Sequence, residues 1–191
     1  MFRGFTNIGT ETAFLFVVLG GDDPGRVLWA PRVFDMAADH GMVLLENGSP
    51  IDTAVGQPVP ADAQPMPRTG PEQVAKLRRA TAQDAAQMVW HSAQCSGATT
   101  PIIAENAPLD APHPFRLERL CLESSQPTVS HTPDAAEVLF VHSGTAHVGW
   151  DGGEVELGSG DTMTVPIGVE RTLSGSSEAI VYRVSGLMSF S

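Results

Sequence analysis

The chain has 191 residues, of which 22 are acidic and 11 basic, so its net charge is −11. A chain of this length buries one good core with an appended segment, but it is short for two independent domains. Its negative charge repels phosphate backbones and anionic lipid headgroups, so we expect neither a nucleic acid nor a membrane as partner. The sequence contains no apolar run long enough to cross a bilayer, and Cys95 and Cys121 form no disulfide framework or zinc motif. A cytoplasmic protein is expected.

The first zone, residues 1–30, is predicted to be an arm of β-strands. Val, Phe and Thr recur between Phe5 and Leu19, and the apolar run Phe14 to Leu19 has the length of one strand. A turn signal, Gly-Gly-Asp-Asp-Pro-Gly, follows at residues 20–25. About twenty residues cannot form a barrel, so the arm is expected to extend a sheet edge of this chain or of a second copy. The sequence therefore predicts a homodimer.

The second zone, residues 31–114, is predicted to contain short helices joined by loops. Pro31 suits the first position of a helix that runs to Asp39 and ends at Gly41. A second helical pattern begins at Pro71 and continues through Trp90.

The third zone, residues 115–191, is predicted to be a mainly β domain. Short apolar runs alternate with turn residues, and Asp151-Gly152-Gly153 has the composition of a hairpin turn. The predicted strands include Glu137 to His142, Thr145 to Trp150, Thr162 to Val165 and Ala179 to Val184. Several short strands of this kind are typical of a sandwich or barrel.

Two segments of this zone resemble the motifs of the cupin superfamily. The first extends from His131 through Glu137 to Gly144, and the second extends from Gly160 through the Pro166-Ile-Gly168 segment to Arg171. The resemblance implies a cupin-type double-stranded β-helix, the jelly-roll barrel, with a few accessory helices outside it.

The resemblance also implies where a metal would bind. In metal-binding cupins, three histidines and a glutamate hold one divalent ion, commonly Fe, Mn, Ni or Zn. His131 and Glu137 keep two of these positions, so they are the candidate metal ligands. Pro133 and Arg171 occupy the other two, and neither side chain can donate an electron pair to a cation. We therefore expect no cofactor, and a divalent transition metal is the alternative.

Strand alternation predicts which side chains share the interior with Glu137. Successive residues of a strand point to opposite faces, so His142 and His147 are predicted to face outward and to leave the metal shell incomplete. The side chains predicted to face inward are Leu139, Val141, Ala146, Val148 and Trp150.

Arg171 has two alternative partners inside such a barrel. A buried guanidinium must be paired, either with Glu137 in an internal salt bridge or with a bound anion. The candidate ligand-binding residues are therefore His131, Glu137, Arg171 and Trp150, beside the apolar Leu139 and Val148. They predict a small-molecule-binding cupin, with a carboxylate as one candidate ligand.

Two other functions stay open from the sequence. One is a metal-dependent cupin enzyme, a dioxygenase, decarboxylase or isomerase. The other is a dimeric scaffold or regulatory protein with a vestigial barrel, which predicts that no cavity lies beside Arg171.

An internal similarity extends the resemblance to the start of the chain. Arg3 to Asn7 is similar to the end of a second cupin motif, and Ala13 to Gly20 is similar to Ala179 to Gly186. This pattern implies the C-terminal barrel of a bicupin whose first barrel is mostly missing.

Overall fold

The structure is a computed structural model, and it describes residues 4–18, 28–77, 79, 81–92, 97–109, 113–123, 130–176 and 178–186. The chain forms two compact units, each described below by itself. The first unit comprises Met1–Thr12 and Asp23–Thr81, and the second comprises Ala13–Asp22 and Ala82–Ser191. In the described part of the chain, no helix is long and apolar enough to span a membrane.

In the first unit, the described residues form two helices and one small hairpin. Helix α1 (Pro31–Asp39) begins and ends as predicted, with proline at its start and Gly41 at a φ of +70° after its C-cap. Strands β1 (Met42–Leu44) and β2 (Pro50–Asp52) pair antiparallel. Helix α2 (Pro71–Ala75) follows them.

The long helical stretch predicted from Pro71 to Trp90 is divided into two short helices. Helix α2 ends at Ala75, and α3 (Ala82–Gln87) belongs to the second unit. No residue of α2 is buried, so no apolar contact stabilises further turns, and short helices depend on such contacts.

The described residues of the second unit form eight β-strands in two antiparallel sheets. The strands are β3 (Thr99–Ile103), β4 (Phe115–Leu122), β5 (Glu137–Ser143), β6 (Ala146–Trp150), β7 (Gly153–Leu157), β8 (Thr162–Val165), β9 (Arg171–Gly175) and β10 (Ala179–Gly186). One sheet has the order β3-β4-β10-β5-β8, and the other has the order β7-β6-β9. The predicted mainly β fold is confirmed, and the two-sheet arrangement is consistent with a jelly roll.

The larger sheet begins before residue 115, where the sequence placed the start of the barrel. Strand β3 pairs with β4 through Thr100 opposite Arg119 and Pro101 opposite Glu118. Because β3 is an edge strand, it accommodates a proline, which has no N–H to donate. That proline made the segment look like loop in the sequence.

The inner faces of the two sheets enclose an aliphatic core. Glu137, Leu139 and Val141 of β5 are buried on one face, whereas His142 is exposed, as alternation predicts. Further core residues include Leu120, Leu122, Ala146, Val148, Val165, Leu173, Ala179 and Val181. This packing fixes the strands that carry the polar site described below.

Glycine and proline lie where the strands of this unit end. Gly144 has a φ of +74° between β5 and β6, and a Cβ there would lie 2.7 Å from the carbonyl oxygen of Glu178. Pro166 follows directly after the last residue of β8. Trp150 pairs with Gly153, so the Asp151-Gly152 turn joins β6 and β7.

The N-terminal arm differs from its prediction. Residues 4–18 contain no strand within the single chain, so they do not extend a sheet edge of this chain, and pairing with a second copy stays a prediction. The Phe16 ring instead stacks on Phe140 of β5, with centroids 4.6 Å apart and planes 6° from parallel. This contact is made by a side chain and needs no backbone partner of the kind that a strand requires. The proposed cupin correspondences of Arg3, Leu19 and Gly20 lie outside the described residues.

Candidate functional site

The two residues that the motifs singled out, Glu137 and Arg171, form a buried ion pair. Glu137 begins β5 of the larger sheet and Arg171 begins β9 of the smaller one, so the pair joins the two sheets. Arg171 donates to Oε2 of Glu137 from Nε at 3.0 Å and from Nη2 at 2.5 Å. Each side chain is only 3% exposed. The structure thus contains the internal salt bridge that the sequence left as one of two alternatives.

His131 is fixed beside this pair by its backbone. The N–H of His131 donates to the carbonyl of Arg171 at 2.9 Å, and the N–H of Arg171 donates back at 3.0 Å. Two residues bonded in this way are directly opposite each other, so their side chains project from the same face. His131 Nε2 lies 3.6 Å from Oε1 of Glu137, and 47% of the histidine side chain is exposed.

Two further charged residues of the site were missed in the sequence. Arg183 of β10 donates from Nε to Oε2 of Glu118 on β4 at 2.8 Å, and its Nη1 lies 3.6 Å from Oε1 of Glu137. Alternation could have found Arg183, because it stands two residues after the core residue Val181. The same rule places Glu118 two residues before Leu120. Neither residue lies in the two segments that resemble cupin motifs, so the motifs do not point to them.

The polar cluster is balanced in charge. We call Glu137, Arg171, His131, Arg183 and Glu118 the rim cluster. It contains two carboxylates and two guanidinium groups. The charges cancel within each of two ion pairs, Arg171–Glu137 and Arg183–Glu118. A buried charge is tolerated only when it is paired and hydrogen-bonded, and the rim cluster satisfies this condition.

The described residues do not fit the divalent metal that the cupin resemblance implies. Arg171 bonds one oxygen of Glu137, and Pro133 has no donor atom, so His131 and Glu137 alone remain as ligands. Within the described ranges, no group of three His, Cys, Asp or Glu side chains could hold a metal ion. His142 is exposed, and His147 Nε2 lies 3.7 Å from Oε2 of Glu156, so neither completes the shell.

Trp150 is the last residue of β6 and is not enclosed in the core. It pairs with Arg171 across β6 and β9, on the face that alternation predicts, but 39% of it is exposed. The position at the end of β6 explains the difference, because no further residue of that strand covers the indole. A Cβ on Gly153 would come within 3.0 Å of the ring, so the indole lies against this glycine.

An open groove of about 460 Å³ adjoins Trp150. Its lining residues come from the ends of β6, β7 and β9 and from the segments beside them: Ser130, Gly149, Trp150, Asp151, Gly153, Glu154, Glu170, Arg171 and Thr172. Of the predicted ligand-binding residues, the groove therefore includes Trp150 and Arg171. Leu139 and Val148 lie in the closed core, with no exposed surface.

Comparison with known proteins found similar solved structures, but no similar family model or curated protein. A cupin-2 domain containing protein from Shewanella frigidimarina is 20% identical, with a TM-score of 0.37 over 41% of this chain and 76% of that one. The EutQ protein of Clostridium difficile is 18% identical, with a TM-score of 0.40 over 48% of this chain and 68% of that one.

An enzyme is also among the similar structures. Salicylate 1,2-dioxygenase from Pseudaminobacter salicylatoxidans is 25% identical, with a TM-score of 0.36 over 38% of this chain and 21% of that one. Because these TM-scores are low, the activities and ligands of these proteins are not assigned to this chain. The two antiparallel sheets of this chain are consistent with the jelly roll that the two motifs predict.

Proposed function

We propose that this cupin-like chain binds a small organic molecule in the groove beside Trp150, without help from a metal ion. The observation that carries the proposal is the partly exposed indole, held against Gly153 and next to a rim cluster of fixed charge. Aromatic side chains in concave sites supply large contact area at little cost in conformational entropy. The volume of the groove suits a molecule about the size of one or two rings.

The charges around the groove favour a ligand with a positive group. Asp151, Glu154 and Glu170 all line the groove, and the charge of Arg171 is neutralised by Glu137. Ser130 donates to Glu170 at 2.7 Å and so orients that carboxylate. An organic ammonium group beside the indole would gain both electrostatic and cation–π attraction. The carboxylate considered in the sequence is the competing candidate, and it requires Arg171 to leave Glu137.

The other two functions receive less support from the geometry. A metal-dependent enzyme needs a donor set that the rim cluster does not provide. A vestigial barrel predicts no cavity beside Arg171, whereas a groove that Arg171 helps to line lies there.

The test compares two probes of matched ring size, benzyltrimethylammonium and benzoate, by calorimetric titration. We expect the cation to bind and benzoate not to bind. Trp150→Ala should weaken the cation at least about tenfold, since a desolvated cation–π contact is worth roughly 2 kcal/mol. The double variant Asp151→Asn/Glu154→Gln keeps the indole and tests the charge, and it should weaken the cation while leaving benzoate unchanged.

Each other outcome is informative. Binding of benzoate alone, lost in Arg171→Gln, would favour the carboxylate. Failure of both probes and of larger ring compounds of either charge would contradict small-molecule binding at this groove.

A further inference from the structure

We infer that the guanidinium groups of Arg171 and Arg183 together take the place of a divalent metal ion on Glu137. Arg171 bonds Oε2 through Nε and Nη2, and Nη1 of Arg183 lies 3.6 Å from Oε1. Each carboxylate oxygen therefore has one guanidinium beside it. Together they offset the charge of Glu137, with the charge of Arg183 shared between Glu137 and Glu118, although neither group can act as a metal ligand.

Arg183 is itself held in place by Glu118, to which its Nε and Nη2 both donate. The two strands that carry them are neighbours, with Arg183 directly opposite Glu118 in the register. A carboxylate as buried as Glu137 is stable only with compensating charge. The two arginines supply this charge, which explains how the barrel keeps its buried glutamate without a metal shell.

The remaining geometry retains most of a metal site. His131 Nε2 and Glu137 Oε1 are 3.6 Å apart, close to the ~3.4 Å that separates two ligand atoms on one tetrahedral ion. Position 171 forms a doubly hydrogen-bonded pair with His131. In such a pair the two Cα atoms lie about 5.5 Å apart, and the two side chains project from the same face. A histidine at position 171 would complete a set of two imidazoles and one carboxylate. Three protein ligands of this kind are enough for zinc-type sites.

Arg171 occupies the position of the missing third ligand, whereas Arg183 has Glu118 as a second partner, so replacing Arg171 alone should restore metal binding. The test is a Co²⁺ titration of untagged protein, followed by visible absorption and by elemental analysis after gel filtration. Arg171→His should bind one Co²⁺ per chain at least tenfold more tightly than the unaltered protein, with the absorption bands of nitrogen-coordinated cobalt. The unaltered protein should retain none after gel filtration.

Two control variants separate coordination from loss of charge. Arg171→Gln removes the guanidinium without adding a ligand, and Arg171→His/Glu137→Gln removes the carboxylate ligand; both should bind no better than the unaltered protein. If Arg171→His is unfolded without metal, Co²⁺ must restore its folding and must fail to do so for Arg171→Gln. Equal binding by the unaltered protein and Arg171→His, or a histidine variant that cobalt neither binds nor rescues, would overturn the inference. The outcome does not depend on which small molecule the groove binds.

Discussion

Arg171 and Glu137 meet across the barrel from opposite sheets, and Nε and Nη2 of the arginine share one carboxylate oxygen at 3.0 and 2.5 Å. Both side chains are buried, and Arg171 is also among the residues that line the groove. It is therefore both part of the structural core and the inner boundary of the candidate site.

This relationship predicts strong coupling between two substitutions. Arg171→Met alone or Glu137→Leu alone should lower the free energy of unfolding by about 3–5 kcal/mol, because each removes the hydrogen-bonded partner of a buried charge. The double variant should lose far less free energy of unfolding than the two single variants added together, since apolar residues of similar size replace the whole pair. Urea denaturation of all four proteins measures the coupling. Additive losses would mean that the pair contributes no specific interaction.

The turn at Gly144 predicts a contrast between two glycines with similar backbone angles. Gly144 has a φ of +74° and Gly152 a φ of +94°, so alanine at either position is strained by about 1–2 kcal/mol. At Gly144 the new Cβ would also collide with Glu178 and Ala179, whereas nothing lies within 4 Å at Gly152. Gly144→Ala should therefore lower the melting temperature clearly more than Gly152→Ala. Equal shifts in a thermal scan would contradict the close approach at Gly144.

The homodimer predicted from the sequence remains a prediction, and the arm offers a way to test it. Phe16 stacks on Phe140, while Phe14, Leu15 and Val17 are exposed and apolar. If a second copy covers these side chains, light scattering at micromolar concentration should give twice the chain mass of 20.2 kDa. Phe14→Ser/Leu15→Ser should then lower the mass towards one chain.

Ile167→Ser is the matched control for this experiment, because Ile167 is an exposed apolar residue of the same unit outside the arm. It should leave the dimer intact. A single-chain mass for the unaltered protein would refute the predicted dimer.

The sequence predicted the barrel well because period-two alternation and turn chemistry act locally. These rules correctly assigned Leu139 and Val141 to the interior and His142 to the surface, and they placed a turn at Asp151-Gly152-Gly153, of which Gly153 already belongs to β7. The residue types also predicted an incomplete set of metal ligands, because the side chains of Pro133 and Arg171 cannot ligate a cation. No comparable local rule states how far the exposed end of a strand extends, so Trp150 was predicted inside and lies at the rim.

Other features depended on partners that are distant along the chain. The arm has the composition of a strand, but a strand forms only when another strand accepts its hydrogen bonds, and the sequence does not name that partner. Arg183 reaches Glu118 across 65 positions, so neither residue stood out without the register of β4 and β10. The sequence therefore identified three residues of the rim cluster, His131, Glu137 and Arg171, and missed the other two.

The most direct test of the account is whether a ligand contacts Trp150. The chain has three tryptophans, so its indole N–H groups give few signals in a ¹H–¹⁵N spectrum, and Trp150→Phe assigns the relevant one. Benzyltrimethylammonium should shift the Trp150 signal in a saturable manner and leave those of Trp29 and Trp90 in place. A Trp150 signal that moves with neither this cation nor benzoate would contradict the proposed binding site.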